Sequence, residues 1–197
     1  MNIIDRVKKI LLQPKIEWET IATETTTTSE LYRSYIMPLA AIGPVASIIG
    51  MSIMGISTPF SATFRIPLSS AIGSAALQYL FGLIGVYVMA MVIDFLAPKF
   101  AGERNLNQAL KLAAYSYTAA WLSGIFILIP ALSVLTITGL YSLYLLYTGI
   151  PVLMKSPREK SLGYTVAAVI AAIVLFMIIG WLSHSFISYP SPMYLPK

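Results

Sequence analysis

Five long apolar stretches constrain the fold of this chain more than any other feature of its sequence. Each has about 19 residues or more, and roughly 20 residues of α-helix cross the ~30 Å hydrocarbon core of a bilayer. A helix also satisfies its peptide hydrogen bonds internally, as lipid requires. Of the 197 residues, 57% are hydrophobic and only 11% are charged, which is typical of a membrane protein. We therefore predict an all-α, polytopic membrane protein with five transmembrane helices, at residues 35–55, 70–97, 111–129, 132–153 and 162–187.

The lysines and arginines between these stretches predict the orientation. Five precede the first stretch, three lie between the second and third when the boundary residue Lys111 is counted, and three lie between the fourth and fifth. On the other side of the membrane only Arg65 and Lys197 remain. Because cytoplasmic loops carry the excess of positive charge, the N-terminus is expected in the cytoplasm and the C-terminus outside. The predicted localisation is the inner or plasma membrane, which the chain crosses several times.

The sequence divides into a cytoplasmic segment (1–34), a five-span membrane domain (35–187) and a short outer tail (188–197). From Ile3 to Leu11 apolar residues recur at helical spacing while charged residues occupy the other face, which predicts a short N-terminal amphipathic helix. Such a basic helix either lies on the anionic inner leaflet or packs on the cytoplasmic face of its own protein. The sequence leaves both interpretations open.

Small residues predict where helices approach each other closely, because helices in lipid pack through such residues. They repeat every four positions on the third and fifth spans, at Ser116, Ala120, Gly124, Gly163, Ala167 and Ala171. The neighbour is predicted to be another helix of the same chain. A second copy of the chain, and hence a homo-oligomer, remains the alternative.

Asp94 is the only acidic residue inside a predicted span. A carboxylate inside a bilayer is costly and is therefore a candidate for function. Asp94 lies one turn before Pro98, near the cytoplasmic interface, where that cost falls. The favoured interpretation is an interfacial carboxylate paired with Lys111, Arg104 or Lys99, and the alternative is a part in ligand or proton binding.

Tyrosines form a second candidate site. The predicted binding residues are Tyr87, Tyr115, Tyr117, Tyr144 and Tyr147, together with Asp94 and Lys111. If the faces that carry them converge, a tyrosine-lined pocket opens towards the cytoplasmic leaflet, with a basic rim. The simpler and favoured interpretation is that the phenolic hydroxyls form hydrogen bonds between helices, because each hydroxyl in lipid needs a partner.

Nothing in the sequence indicates an enzyme. There is no cysteine, and no Walker loop, G-x-S-x-G, H-E-x-x-H or dinucleotide-binding motif is present. His184 is the only histidine and has no cluster of ligands beside it, so no metal site is predicted. We accordingly predict no catalytic residue, no cofactor and no nucleic acid partner.

Two separated stretches resemble the Yip family of small membrane proteins, in its bacterial and archaeal branch. The first includes DFLAPKFAG from Asp94 and ALKLAAYSYT from Ala109, and the second is GLYSLYLLYTGIPVLMK from Gly139. The resemblance implies a five-span helical fold with a cytoplasmic N-terminus. Eukaryotic members bind Rab-type GTPases through their cytoplasmic side, but the segment of about 34 residues here is short beside theirs.

The predicted function is that of a non-enzymatic scaffold, adaptor or membrane-organising factor. Its expected partners are membrane lipid and proteins that bind at the cytoplasmic face. One alternative is a small transporter or channel that uses Asp94 and the tyrosine-lined pocket. The other is a lipid-binding protein that works through the same pocket and its basic rim.

Overall fold

The computed structural model describes residues 2–58 and 61–186 and is built mainly of helices. The predicted outer tail (188–197) lies outside these residues, and His184 lies outside the described side chains. In chain order the α-helices are α1 (Ile3–Leu12), α2 (Pro14–Thr23), α3 (Thr28–Leu31), α4 (Met37–Ala40), α5 (Ile42–Ile48), α6 (Leu68–Leu96), α7 (Leu106–Ser116), α8 (Thr118–Ser123), α9 (Tyr141–Leu153) and α10 (Arg158–Phe186).

Within the described part of the chain, three helices are long and apolar enough to cross a membrane: Thr28–Met54, Leu68–Phe100 and Ala131–Leu153. They coincide with the first, second and fourth predicted spans. The first is irregular, because π-helical turns at Tyr32–Ile36 and Ile49–Met54 and a break at Ala41 interrupt α3, α4 and α5.

The other two predicted spans are not among these three helices. The third is divided among α7, α8 and a 3-10 helix (Gly124–Leu128), and the chain then turns at Ile129 into a second 3-10 helix (Pro130–Leu140). The fifth corresponds to α10, which has 29 residues. Five crossings and the placement of the two termini stay predictions.

A short β-hairpin adds to the predicted all-helical fold. Strands β1 (Ile56–Thr58) and β2 (Ser61–Phe64) pair antiparallel and connect the first long helix to α6. Thr58 pairs with Ser61 and Ile56 pairs with Phe64, with one irregularity in the register between them. The hairpin lies in the loop that carries Arg65, where the sequence predicted no regular structure.

One end of the helical bundle, hereafter the basic end, carries Lys99, Arg104 and Lys155. Lys155 forms an ion pair with Glu103 at 2.6 Å, which closes the loop after α6 onto the end of α9. Most of the largest fully buried side chains among the described residues lie on α2, α7, α9 and the adjoining turns of α6 and α10. The core of the protein therefore lies near the basic end.

Helices α1 and α2 form an antiparallel pair, hereafter the N-terminal hairpin (residues 3–23), which packs along the bundle near the basic end. Its turn lies beside α9, where the Tyr141 hydroxyl donates to the Leu11 carbonyl at 2.9 Å. Ile10 is fully buried, whereas Ile4 and Leu12 are exposed. The predicted amphipathic helix is therefore present and packs one face on its own protein.

Neighbouring helices pack closely at the predicted small residues of the third span. A Cβ added at Gly124 would lie 2.9 Å from the Gly43 Cα of α5, and one added at Gly139 would lie 3.3 Å from the Ala120 Cα. Ser142 also accepts a hydrogen bond from the Ala120 amide at 3.0 Å. This row of small residues packs against the same chain, as predicted.

Candidate functional site

Trp18 is the anchor by which the N-terminal hairpin is held to the bundle. Its indole is fully buried, and its Nε1 donates to the Thr148 hydroxyl of α9 at 3.2 Å. A Cβ added at Gly149 would lie 2.7 and 2.9 Å from two indole carbons, so only glycine leaves room for the ring. The edge of the ring meets Tyr115 of α7 at 6.3 Å between centroids. One side chain thus joins α2 to both α7 and α9.

A buried ionic cluster fixes the two helices of the hairpin to each other. Arg6, which is 5% exposed, pairs with Glu17 at 2.5 Å and also with Glu24. Its guanidinium lies 5.5 Å from the centre of the Tyr115 ring. Burial by itself lowers the pKa of Arg6, but the hydrogen bond to Glu24 and the nearby carboxylates outweigh it, so the pKa lies above its ordinary value. Arg6 therefore stays charged, and its carboxylate partners balance the buried charge.

Lys111, a predicted binding residue, holds the C-terminal end of α2. It is almost fully buried, and its Nζ donates to the carbonyls of Ile21 at 2.9 Å and Glu24 at 2.6 Å. A cation there satisfies carbonyls that have no partner within the helix and is favoured by the helix dipole. Gln108, one turn earlier on α7, donates to the Ala22 carbonyl at 3.0 Å. The contacts of Lys111 are with its own protein.

Asp94 is paired with Arg104, one of its three predicted partners. The Nε and Nη2 atoms of Arg104 donate to the Asp94 Oδ2 at 2.9 and 2.8 Å, although the Arg104 side chain is 62% exposed. The other oxygen, Oδ1, is buried and has no hydrogen-bond partner among the described residues. Beside this pair the Tyr164 hydroxyl of α10 donates to the Ile93 carbonyl. These contacts fasten α6 to the loop that follows it and to α10.

The predicted tyrosines lie in three different places. Tyr115 is buried in the interface with the hairpin, 4.5 Å from the Tyr35 ring between centroids. Tyr117 lines an apolar cavity of about 270 Å³ between α5, α6, α8 and α10, and none of the other predicted site residues lines it. Tyr87, Tyr144 and Tyr147 are each about 40% exposed. The structure therefore does not bring these side chains into one pocket.

The helical geometry of α9 explains why Tyr144 and Tyr147 lie apart from the others. Leu145, Gly149 and Leu153 follow at four-residue spacing and form its buried face. Tyr144 comes one position before Leu145, and Tyr147 comes two positions before Gly149. Side chains at these positions of an α-helix point away from the buried face. The two tyrosines consequently project from the opposite side of α9. Whether they bind anything stays a prediction.

Sequence reasoning missed the part that Arg6, Trp18 and Gly149 play. The only tryptophan of the N-terminal segment, together with a glycine inside an apolar span, is the signal that the sequence does contain. Their pairing cannot be read from periodicity, because about 130 residues separate them. Among the described side chains, no group of three or more His, Asp or Glu residues is placed to hold a metal ion.

Comparison with known proteins gives a family and a location. The model of the Yip1 domain family matches residues 8–179. The inner membrane protein YohC of Escherichia coli strain K12 is 28% identical over 156 residues, which cover 77% of this chain and 80% of that protein. YohC of the E. coli O6:H1 strain CFT073 matches to the same extent. No solved structure is significantly similar to the chain.

Proposed function

The chain belongs to the Yip1 domain family as a multi-pass inner membrane protein, and from this premise we propose that it is a non-enzymatic membrane-organising scaffold or adaptor. Its working part is the N-terminal hairpin, held as a platform at the cytoplasmic face. The observation that carries the proposal is the locking of this hairpin onto α7 and α9 by Trp18 and Lys111.

A hairpin that is fixed to the bundle can present a preformed binding surface to a partner. A flexible tail loses conformational entropy when it binds, whereas a segment that is already ordered loses much less. The inward side of the hairpin carries Ile10, Trp18 and Ile21, all fully buried. Its outward side leaves Lys8, Glu19 and other residues exposed for contacts with a partner.

The cytoplasmic placement of this platform is part of the proposal. The hairpin packs near the basic end, where the loops between α6 and α7 and between α9 and α10 also lie. These loops, the adjoining parts of α7 and α10, and the N-terminal segment carry the eleven cations that the sequence predicts on one side. Because cytoplasmic loops carry the excess of positive charge, this distribution supports a cytoplasmic location for the basic end.

A transporter receives less support from the geometry. The cavity beside Tyr117 is lined mainly by glycine, alanine and large apolar residues, with Gln78 as a polar member and no charged residue. A path for ions or polar solutes through a membrane requires polar or charged groups that replace their hydration. Asp94, the carboxylate that a transporter would use, is already paired with Arg104.

Photo-cross-linking from the outward side of the hairpin tests the proposal. A photoreactive residue at position 19, which is exposed, is activated in native membranes, and captured proteins and lipids are identified by mass spectrometry. The expected result is a reproducible set of captured proteins that diminishes in Lys111→Met, because that variant removes both hydrogen bonds to the end of α2.

The matched control is Lys160→Met, which removes an exposed lysine near the start of α10. It is expected to leave the captured set unchanged. The proposal is abandoned if no protein is captured above background, or if the set is the same in Lys111→Met as in the unaltered chain.

A further inference from the structure

The N-terminal hairpin reaches far along the bundle from the basic end. Tyr141 and Leu153 are the first and last residues of α9, and at 1.5 Å per residue they lie about 18 Å apart. The hydrogen bond from Tyr141 to Leu11 therefore places the turn of the hairpin about 18 Å from the basic end. Arg6, by contrast, lies beside Tyr115, one turn nearer that end than Ala119. Helix α1 thus runs inward and α2 runs back out.

An apolar groove begins where α1 ends. It has a volume of about 770 Å³, within the range of roughly 300–1,000 Å³ that is usual for sites of small molecules. It is lined by apolar side chains, among them Leu11, Ile42, Leu122, Phe126 and Ile137. At its edge the Tyr141 hydroxyl donates its hydrogen bond to the Leu11 carbonyl. The groove lies between predicted spans one, three and four, and it is open to the outside of the bundle. Its depth and its lining match the hydrocarbon region of a bilayer.

The hairpin carries two exposed lysines close in the sequence to Leu11, which lines the groove. Ile4, Lys8 and Leu11 follow at four- and three-residue spacing, so they share one edge of α1, with exposed Lys8 one turn nearer the basic end than Leu11. Lys15, at the start of α2, is also exposed. Lysines with apolar stems extend their amino groups towards the headgroups while the stem stays in the acyl region. An occupant of the groove therefore meets apolar walls, with the Lys8 side chain one turn nearer the basic end and Lys15 at the turn of the hairpin.

We propose that this groove binds an anionic phospholipid of the cytoplasmic leaflet, with an acyl chain against Leu11, Phe126 and Ile137 and the phosphate at Lys8 and Lys15. The exposed apolar residues at the turn support the same placement: Leu12 is 78% exposed and Ile16 is 63% exposed. In water such residues would be unfavourable side by side, whereas in the leaflet they contact lipid. The hairpin then acts as a wedge in one leaflet.

This inference deepens the proposed function, since it names a partner of the same hairpin and rests on its cytoplasmic placement. It does not require any protein partner. It differs from the predicted tyrosine-lined lipid pocket, because Tyr87, Tyr115, Tyr144 and Tyr147 do not line the groove. Charge complementarity favours an anionic headgroup over a zwitterionic one.

Native mass spectrometry of the purified full-length protein tests the assignment. Phosphatidylglycerol and phosphatidylethanolamine with identical acyl chains are titrated separately in detergent. We expect tighter binding of phosphatidylglycerol. In Lys8→Gln its affinity is expected to fall about five-fold, and in the double variant with Lys15→Gln about 25-fold, since each lysine near an anionic surface contributes about a factor of five.

A variant that fills the groove distinguishes lipid bound inside the groove from lipid attracted only to surface lysines. Ile137→Trp introduces a large ring from a position that is already exposed and lines the groove, so the fold tolerates it while the acyl chain is displaced. The expected result is loss of the tight phosphatidylglycerol adduct. Leu80→Trp, on an exposed position of α6, and Lys160→Gln are the controls and should keep that adduct.

Equal affinity for the two lipids, or an unchanged adduct in Ile137→Trp, would overturn the lipid assignment. Replacement of the lipid adduct by a co-purified polypeptide that Ile137→Trp displaces would overturn it as well. Each of these results leaves the cross-linking outcome for Lys111→Met intact. The two experiments therefore distinguish failure of the proposed lipid site from failure of the proposed scaffold function.

Discussion

A single methyl group at position 149 should loosen the N-terminal hairpin. In Gly149→Ala the new Cβ would lie 2.6 Å from the Leu112 Cδ1 and 2.7 and 2.9 Å from two carbons of Trp18. The Leu112 atom is the end of a flexible side chain, which can give way in part although it is buried. The indole of Trp18 cannot move freely, because it is fully buried and its Nε1 is bound to Thr148.

The magnitude follows from these contacts. Overpacking of a buried ring costs about 1–3 kcal/mol, and loss of the hydrogen bond to Thr148 costs about 1 kcal/mol. Partial relaxation at Leu112 reduces the total, so we expect about 2–3 kcal/mol. The equilibrium between docked and undocked hairpin then shifts by roughly 30- to 150-fold.

Hydrogen exchange measured by mass spectrometry on the protein in nanodiscs checks this expectation. Amides of α1 and α2 should exchange faster in Gly149→Ala by about the same factor, while those in the interior of α6 keep their rates. Gly73→Ala is the matched control, because a Cβ added at Gly73 meets no atom within 4 Å. Unchanged exchange of α1 and α2 in Gly149→Ala, or equal loosening in Gly73→Ala, would refute the assignment of Trp18 as the anchor.

Two further predictions concern Asp94 and the orientation. Asp94→Asn should lower the free energy of unfolding by about 1–2 kcal/mol, because it removes the charge from the pair with Arg104 while the fold is retained, and thermal denaturation in detergent measures this. Full stability combined with loss of protein or lipid capture would instead make Asp94 a binding residue. An alkaline phosphatase fused after Lys197 should be active, because the C-terminus is predicted outside; an inactive fusion beside a fluorescent C-terminal GFP would reverse the topology.

The helical character of this chain follows from its apolar stretches, because lipid admits few other structures. The predicted first, second and fourth spans coincide with helices of membrane-spanning length. The third does not, since Pro130 and the small residues before it are accommodated by 3-10 turns rather than by one regular helix. Composition over a window of about 20 residues does not distinguish these two geometries.

The candidate site was predicted in part. Asp94 had three cations within reach in the sequence, and charge alone could not say that Arg104 is its partner. The tyrosines were grouped by depth, which is a property of position along a helix. Which way each one points depends on which stripe is buried, and on α9 the stripe that contains Leu145 and Gly149 packs inward.

Of the two interpretations of the N-terminal helix, packing on its own protein describes the face that carries Ile10. Leu12 remains exposed, and contact of that face with the inner leaflet stays a prediction. The sequence contained both signals, since apolar residues spread over more than one face of a helix that is only ten residues long. The partners that bury one of these faces lie about 130 residues away, so local pattern could not identify them.

The uneven position of the core has a consequence for how the protein fits its membrane. Large side chains interlock near the basic end, whereas towards the opposite end the long helices are joined by glycine contacts such as that of Gly43 with Gly124. A helix that is longer than the local bilayer accommodates the mismatch by tilting. In a thinner bilayer we therefore expect the helices to tilt apart at the end away from Trp18, while the packing around Trp18 keeps its geometry.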